Sequence, residues 1–332
     1  MSVLDRTTRA RLGLLLAVLV LGTACEAPLQ PESRREDASA AASPRASTAA
    51  SPSPTEEPSR TAPATPSADP SVEVPDGLED TARTQARIPP RRGPVLGADI
   101  GWPQCPTGLG IPERPTLGLP MPLPEAQYVV IGLTNGPSFT PNPCLADQVR
   151  WVQRRRVPVA AYAVISGPYG DTLARFGRRG PYDAGTASGR LANLGHAQAR
   201  YSARVMREAG LETPFVWLDV EPVPAFDWSS DPAANAQVVR GAARGWRDAG
   251  VRIGVYSTAA LWAGVVGDLR LGLPEWRAAG ETSREEALRR CGPGSVIQGG
   301  PAVMGQWLQD SRDHDLTCPG VSRDLGRYFA AP

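Results

Sequence analysis

The chain has 332 residues, a formal net charge of +1 and a sequence pI near 7.6. A protein that binds nucleic acid through its charge carries a strongly basic surface, which this balance does not supply, so no nucleic-acid partner is expected. The length suits a single α/β barrel with additional segments.

The first 25 residues have the pattern of an export signal. Three arginines within the first 11 residues precede an apolar run at 12–21, which is too short for a membrane span and suits the core of a signal peptide. The run leads into LGTAC, which resembles the lipobox of bacterial lipoproteins, whose cysteine (here Cys25) is lipidated. We expect a protein anchored by lipid at the extracellular face of the cell membrane. Ordinary cleavage near Ala24, which would release a secreted protein, is the alternative.

Residues 26–92 are dominated by Ala, Ser, Thr and Pro. Such a segment has too few large apolar side chains to bury, and it is expected to be a disordered linker. The folded domain is expected at 93–332.

From residue 93 onward, short apolar runs alternate with helical patterns. The runs are PVLGADI, QYVVIGLT, VPVAAYAVI, PFVWLDV and VRIGVYS, with weaker ones at GSVIQ and VMGQWL. Helices are predicted to begin at Asn142–Pro143 and at Asp231–Pro232, and a third spans Leu191 to Val205. This alternation predicts a parallel sheet, and seven or eight strands favour an α/β fold of the (β/α)8 TIM-barrel type. An open doubly wound sheet is the alternative, although no strand is followed by a GxGxxG or GxxxxGK loop.

Besides Cys25, the chain has four cysteines, Cys105, Cys144, Cys291 and Cys318. An even number in an exported protein indicates disulfides, with three possible connectivities. Pairing within the sequence-local pairs, Cys105 with Cys144 and Cys291 with Cys318, is favoured. A zinc site is disfavoured because CxxC spacing is lacking and the chain has only two histidines, so no cofactor or metal is expected.

The run FVWLDVEPV places two carboxylates, Asp219 and Glu221, on one face of a predicted strand. A DxE pair alone is often a solvated edge or is paired with arginines, but this strand is apolar on both faces, which favours a functional role. In a barrel, residues at the carboxyl ends of the strands ring one mouth. The other residues predicted there are Asp99, Asn135, Tyr256, Gln306 and Trp307.

Six motifs, GADIGWPQC, YVVIGLTNG, VWLDVE, IGVYS, GQW and DHDL, occur in the order in which glycoside hydrolase family 25 lysozymes carry similar ones. Over about residues 95–320 the chain resembles that family of barrels. The WPQC opening resembles more closely the glycoside-hydrolase-like proteins that actinobacteria secrete.

The resemblance implies roles for individual residues. Glu221 would be the general acid that protonates the glycosidic oxygen, while Asp219 and Asp99 would stabilise charge at the sugar ring and orient its N-acetyl group. Nearby acids push one another's pKa values apart, so such a cluster can hold one protonated and one ionised group. The expected substrate-binding residues are Trp102, Asn135, Tyr256, Gln306, Trp307 and Asp315.

The expected function is glycoside hydrolysis of cell-wall polysaccharide, with peptidoglycan as substrate and a muramidase-like reaction. The expected partners are this glycan and, through the lipid anchor, the membrane. A non-catalytic barrel that binds wall glycan or a protein is the alternative, and a carboxylate-bound Mg²⁺ or Ca²⁺ site for phosphoester hydrolysis is a third possibility. Two segments depart from the family pattern. PEWRAAGETSREEALRRCGPG is polar where an aromatic wall is expected, and PTGLGIPERPTLGLPMPLPE is a proline-rich insertion able to cover the cleft.

Overall fold

The computed structural model describes residues 88–332. The predicted export signal, Cys25 and the linker up to residue 87 lie outside the described residues. The last residues assigned to the linker, 88–92, pack on the barrel: Ile88 is buried, and the backbone N–H of Arg91 donates to the carbonyl oxygen of Ser322 at 2.9 Å.

Eight strands form a closed barrel in the order β1-β10-β9-β8-β7-β6-β5-β4, and β2 and β3 form a separate hairpin. The strands are β1 (Leu96–Ile100), β2 (Gly110–Ile111), β3 (Arg114–Pro115), β4 (Val129–Gly132), β5 (Val159–Val164), β6 (Phe215–Asp219), β7 (Arg252–Ser257), β8 (Glu275–Glu281), β9 (Ala302–Gln309) and β10 (Arg312–Thr317). The helices are α1 (Leu145–Arg155), α2 (Thr172–Phe176), α3 (Ala187–Glu208), α4 (Pro232–Asp248), α5 (Ala259–Val266) and α6 (Arg284–Arg289). The predicted TIM-type α/β barrel is confirmed, with one difference: β10 is antiparallel to both of its neighbours.

The predicted strand at GSVIQ is wrong. Its first residues belong to the 3-10 turn Pro293–Ser295, and the barrel strand at this point is β8, inside the segment that looked polar. The polar pattern has a physical cause, because Glu275 and Arg277 of β8 form a buried ion pair with 2.7 Å between Arg277 Nη2 and Glu275 Oε2. The backbone N–H groups of Ile297 and Gln298 donate to the Glu275 carboxylate, so these last two residues of the run are buried in a loop.

Helices pack around the outside of the barrel. The three predicted helices are α1, α3 and α4, and Asp231 caps α4 by accepting from the backbone N–H groups of Ala233 and Ala234. α3 and α4 lie very close together, since a Cβ added to Gly195 would be 1.8 Å from the carbonyl oxygen of Val238. The larger hydrophobic core fills the space between strands and helices.

A second core fills the inside of the barrel with aromatic side chains. Trp217 and Trp276 meet there with ring centroids 6.0 Å apart, and Tyr128 packs against Phe329 at 4.6 Å. The ring of Tyr128 occupies the space where a Cβ of Gly97 would lie, 2.2 Å away. The barrel is therefore closed by an aromatic floor, and polar side chains above that floor face the carboxyl-end mouth.

Disulfides join Cys105 to Cys144 and Cys291 to Cys318, so the structure has the sequence-local pairing. The first ties the segment after β1 to the start of α1. Two disulfides fit an extracellular or secreted protein. Between residues 88 and 332, the structure contains no helix with the length and apolar character of a membrane span.

Candidate active site

Three of the predicted acids meet at the mouth of the barrel. Asp99 and Asp219 are the inward-facing acids near the ends of β1 and β6, 6% and 5% exposed, and Glu221 lies two residues beyond β6 and is partly exposed. They are near enough to act on one another, since the charge of Asp219 raises the pKa of Asp99 and that of Glu221 raises the pKa of Asp219. The alternation of the strands thus directs all three carboxyl groups to one place.

A fourth acid at this mouth, Asp313 of β10, was missed by the sequence analysis. Its Cα is the cross-strand partner of Asp99, whereas Asp315 is the partner of Gly97, one pleat deeper. The family resemblance implies a substrate-binding role for Asp315, the later acid of RDHDL. Because β10 is antiparallel, its first residues are the ones that reach this end of the barrel.

Asp315 therefore does not take the predicted substrate-binding position. It is fully buried, and its Oδ1 accepts a hydrogen bond of 2.8 Å from Trp276 Nε1. Its Oδ2 has no partner. Burial raises the pKa of Asp315 well above the usual value, and the charge of Asp313 raises it further against the opposing bond from Trp276. We interpret Asp315 as a neutral acid beneath the site.

This interpretation gives a prediction for stability. A carboxyl group whose folded pKa is raised stabilises the fold fully below its unfolded pKa, and this contribution is lost as the pH rises through the folded pKa. Asp315→Asn keeps the neutral shape, so the variant should equal the wild type at pH 4 and exceed it at pH 8 by about 1 kcal/mol or more in the free energy of unfolding. Denaturant unfolding at both pH values measures this, with exposed Glu113→Gln as the control. A variant less stable than wild type at pH 8 would show that Asp315 is ionised in the fold.

Two predicted residues form a hydrogen-bonded chain that ends on Asp99. The Tyr256 hydroxyl donates to Gln306 Oε1 at 2.7 Å, and Gln306 Nε2 donates to Asp99 Oδ2 at 2.9 Å. Gln306 is nearly buried. Both side chains are thus part of the site. They support Asp99 through this chain, because the oxygen and the nitrogen of the Gln306 amide each form one of the two hydrogen bonds.

Trp307 is the clearest correction among the predicted binding residues. It follows Gln306 on β9, so its side chain lies on the opposite face of the sheet, 5% exposed, where it packs with Ala287 and Leu316. Its ring stacks on His314 with centroids 4.9 Å apart. A strand end alone could not decide which of two adjacent residues faces inward.

The side chain of Asn135 also differs from its predicted role, because it bonds to the β2–β3 hairpin. Its Oδ1 accepts from the backbone N–H of Ile111 at 2.8 Å, and its Nδ2 donates to the carbonyl oxygen of Arg114 at 3.0 Å. Asn135 is 1% exposed. Both ends of its amide hold the β2–β3 hairpin in place, so it does not offer the predicted polar contact to a substrate.

The WPQC motif builds one side of the mouth. Trp102 is partly exposed there, as predicted. Gln104 Oε1 accepts from the backbone N–H of Gly101 at 2.8 Å, and its side chain forms a hydrogen bond that lowers the pKa of Asp313. Cys105 then fastens the motif to α1 through the disulfide. The motif therefore orders the loop after β1 and supports an acid on β10.

Tyr162 of β5 is a second residue that the sequence analysis missed. Its ring is packed against two glycines, because a Cβ on Gly101 would lie 2.4 Å, and one on Gly132 2.5 Å, from its side-chain atoms. Burial raises the pKa of Tyr162 well above its usual value, and the charges of Asp99 and Asp219 add to this. The available signal was the inward alternation of VAAYAV, in which Tyr162 is the one side chain with a polar group.

The acids of the mouth differ in their proton affinity. Burial, followed by the charge of Asp313, raises the pKa of Glu221 to about 7, while Arg114 lowers it. Burial raises the pKa of Asp313 to about 6. For Asp99 and Asp219 burial is the largest cause, and both pKa values lie well above the usual range. Near neutral pH the site can therefore hold a protonated acid at Glu221 beside an ionised carboxylate at Asp313.

Within residues 88–332, no group of three or more His, Cys, Asp and Glu side chains has an arrangement that could hold a metal ion.

Comparisons with known proteins agree with the motifs. Residues 188–282 match the family model described as Lysozyme-like protein 1. A curated relative, a probable GH family 25 lysozyme 4 of Dictyostelium discoideum, is 34% identical over 90 residues, which is 26% of this chain and 41% of the relative. The chain thus matches less than half the length of that relative.

Solved structures of similar proteins share little sequence with this chain. A family GH25 lysozyme of Aspergillus fumigatus has 14% identity and a TM-score of 0.45, with 72% of this chain and 100% of that one covered. The modular autolysin LytC of Streptococcus pneumoniae, solved with a synthetic peptidoglycan ligand, has 13% identity and a TM-score of 0.40, with 67% and 46% covered. The matched family segment contains both acids of the DxE pair, and the similarity of this chain to the GH25 lysozyme-like family, indicated by its motifs, is confirmed.

Proposed function

We propose that the barrel is a glycoside hydrolase that cleaves cell-wall polysaccharide, with peptidoglycan as its substrate. The observation that carries this proposal is the pair of unlike acids at one open mouth: Glu221 with a pKa of about 7 and Asp313 with a pKa of about 6. Glycosidic cleavage requires one carboxyl group that is protonated and another that is ionised. The match of residues 188–282, which contain Asp219 and Glu221, to a lysozyme-like family model supports the same chemistry, as does the similarity to a probable GH family 25 lysozyme.

The reaction begins with proton transfer from Glu221. The protonated Glu221 gives its proton to the glycosidic oxygen as the bond from that oxygen to the anomeric carbon breaks. Positive charge develops on the sugar ring, and an ionised carboxylate on the opposite wall of the mouth stabilises it. Asp313, with a pKa of about 6, is ionised near neutral pH and suits this role. Asp99 and Asp219 have pKa values raised well above the usual range, so they are suited to form hydrogen bonds with the substrate.

Trp102 is the proposed sugar platform. It is the partly exposed tryptophan of the WPQC turn, and a flat apolar ring suits the apolar face of a pyranose. Tyr162 lies between the acids and would line the ring-binding position.

The pH dependence of hydrolysis tests the assignment of these acids. Activity needs Asp313 ionised, so kcat/KM should fall below about pH 6, and it needs Glu221 protonated, so kcat/KM should fall above about pH 7. Rates on soluble glycan fragments between pH 4 and 9 measure this profile. In Asp313→Asn, the fall of kcat/KM below about pH 6 should disappear. A profile in which this variant retains both limbs would assign the ionised role to another group.

A cleavage assay tests the function itself. The protein is incubated with purified peptidoglycan, chitin oligosaccharides and neutral wall glycans, and the fragments are analysed by mass spectrometry. The proposal expects new reducing ends from peptidoglycan. Binding of the same glycans with no cleavage by the wild type would instead favour a non-catalytic glycan-binding barrel.

We also propose that the protein is exported and anchored through a lipid on Cys25, with residues 26–87 as a linker that holds the barrel in the wall. The apolar run before Cys25 and the disulfides of the barrel support this. Cys25→Ala should transfer the protein from the membrane fraction to the medium. An unchanged distribution would indicate ordinary signal cleavage.

A further inference from the structure

The proline-rich insertion after β1 folds into the β2–β3 hairpin, which lies beside the mouth of the barrel. The hairpin is fastened by the two Asn135 hydrogen bonds described above and by Thr116, whose Oγ1 accepts from the backbone N–H of Leu109 at 2.7 Å. It also rests against Gly136, where an added Cβ would lie 2.9 Å from Cγ of Arg114. These contacts give the hairpin one defined position, and they determine where Arg114 emerges.

Arg114 extends from this hairpin to the loop that carries Glu221. Its Nη2 donates to the carbonyl oxygen of Pro224 at 3.2 Å, and its guanidinium carbon lies 5.8 Å from the ring centroid of Trp102. The buried Nε has no hydrogen-bond partner. On the other side of the same loop, Trp228 Nε1 donates to the carbonyl oxygen of Glu221 at 3.0 Å. Arg114 and Trp228 therefore hold the Glu221 loop from two sides.

The charges around Glu221 are otherwise acidic. Asp219 faces it from its own strand and Asp313 from β10, and the phenol groups of Tyr162 and Tyr256 face it from β5 and β7. Arg114 acts on Glu221 in the opposite direction and lowers its pKa. Burial lowers the pKa of Arg114 itself, and the charge of Glu221 opposes that shift.

We propose that Arg114 is a positioning residue for Glu221: the insertion hairpin holds a guanidinium over Trp102 and against the loop that carries the acid, and this cation controls the charge state of the acid and the placement of its loop. The proposal deepens the proposed function and rests on it for the role of Glu221. It gives the insertion a purpose at the site that differs from covering or blocking the cleft.

The titration of Glu221 tests the proposal without any need for catalysis. Protein labelled with ¹³C at the Glu side-chain carboxyl carbon is titrated by NMR from pH 4 to 9, and Glu221→Gln assigns the resonance. Arg114→Gln removes the cation but keeps an amide that can donate to Pro224, so the midpoint of Glu221 should rise by about 0.5 to 1 pH unit for a pair that is partly exposed. Arg114→Lys keeps the charge and should titrate near the wild type.

Two further variants separate charge from structure. Asn135→Ala releases the hairpin and should shift the Glu221 midpoint upward, as Arg114→Gln does. Glu113→Gln changes an exposed residue of the same hairpin and should leave it in place. An Arg114→Gln protein that titrates at the wild-type pH would overturn the proposal, and so would an equal upward shift with Arg114→Lys.

Hydrolysis gives an independent readout. If the wild type cleaves glycan, the alkaline limb of its kcat/KM profile should move upward in Arg114→Gln by the shift that NMR records. If the wild type cleaves no glycan, the proposed function fails, and the NMR midpoints still decide whether Arg114 controls Glu221.

Discussion

Glu221→Gln is expected to lower the rate of glycan cleavage by about 10² to 10⁴-fold with little loss of stability, because the amide cannot give a proton to the leaving oxygen. The side chain is partly exposed and lies beyond the end of β6, so its replacement removes no core contact. The loss should appear in kcat more than in binding, since the amide keeps the shape and polarity of the acid. Release of reducing ends from soluble peptidoglycan fragments measures the rate, and thermal unfolding checks the fold.

A matched control for Glu221→Gln is Asp227→Asn, an exposed acid on the same loop. It makes the same chemical change and should leave the rate near that of the wild type. A Glu221→Gln protein that cleaves glycan at the wild-type rate would remove Glu221 from the mechanism. Asp219 would then be the acid to test, because its pKa is also raised by burial.

Glu275→Gln is expected to destabilise the fold by about 3 to 5 kcal/mol, because it leaves the buried guanidinium of Arg277 without its counter-charge. Arg277 is 3% exposed, and its Nε and Nη2 both donate to Glu275 Oε2. The other carboxylate oxygen accepts from the backbone N–H groups of Gln298 and Gly300. One side chain thus organises both the strand β8 and the loop before β9, and a neutral amide cannot accept all of these bonds.

The control for this prediction is Glu286→Gln on α6, a partly exposed acid that pairs with Arg289 and Arg290. It removes the same charge from a solvated pair and should leave the unfolding midpoint nearly unchanged. Urea unfolding at neutral pH measures both variants. Equal midpoints for Glu275→Gln and the wild type would contradict the prediction and would show that the buried ion pair contributes little to stability.

The polar character of β8 explains why the sequence analysis placed a strand wrongly. A pattern of apolar residues predicts strands whose outer face packs against helices. Six barrel strands have such a pattern: β1, β4, β5, β6, β7 and β9. β8 instead carries Glu275 and Arg277 on its outer face, and those side chains satisfy each other and the backbone of a distant loop. The backbone groups that complete this buried arrangement are 13 to 25 residues away, so no local pattern shows them.

Local patterns in the chain were enough to place six of the eight barrel strands and three of the helices, to predict the barrel class and to select the DxE pair as candidate acids, because alternation along a strand and caps at helix ends are local properties of the chain. The folded barrel was needed to show which acid of β10 reaches the mouth, that Trp307 faces outward, and that Arg114 from the insertion reaches the loop that carries Glu221. These depend on the direction of β10, on the side of the sheet that each strand presents to the barrel interior, and on where Asn135 holds a distant hairpin. Such relations arise from contacts between residues far apart in the chain, and they exist only once the barrel has closed.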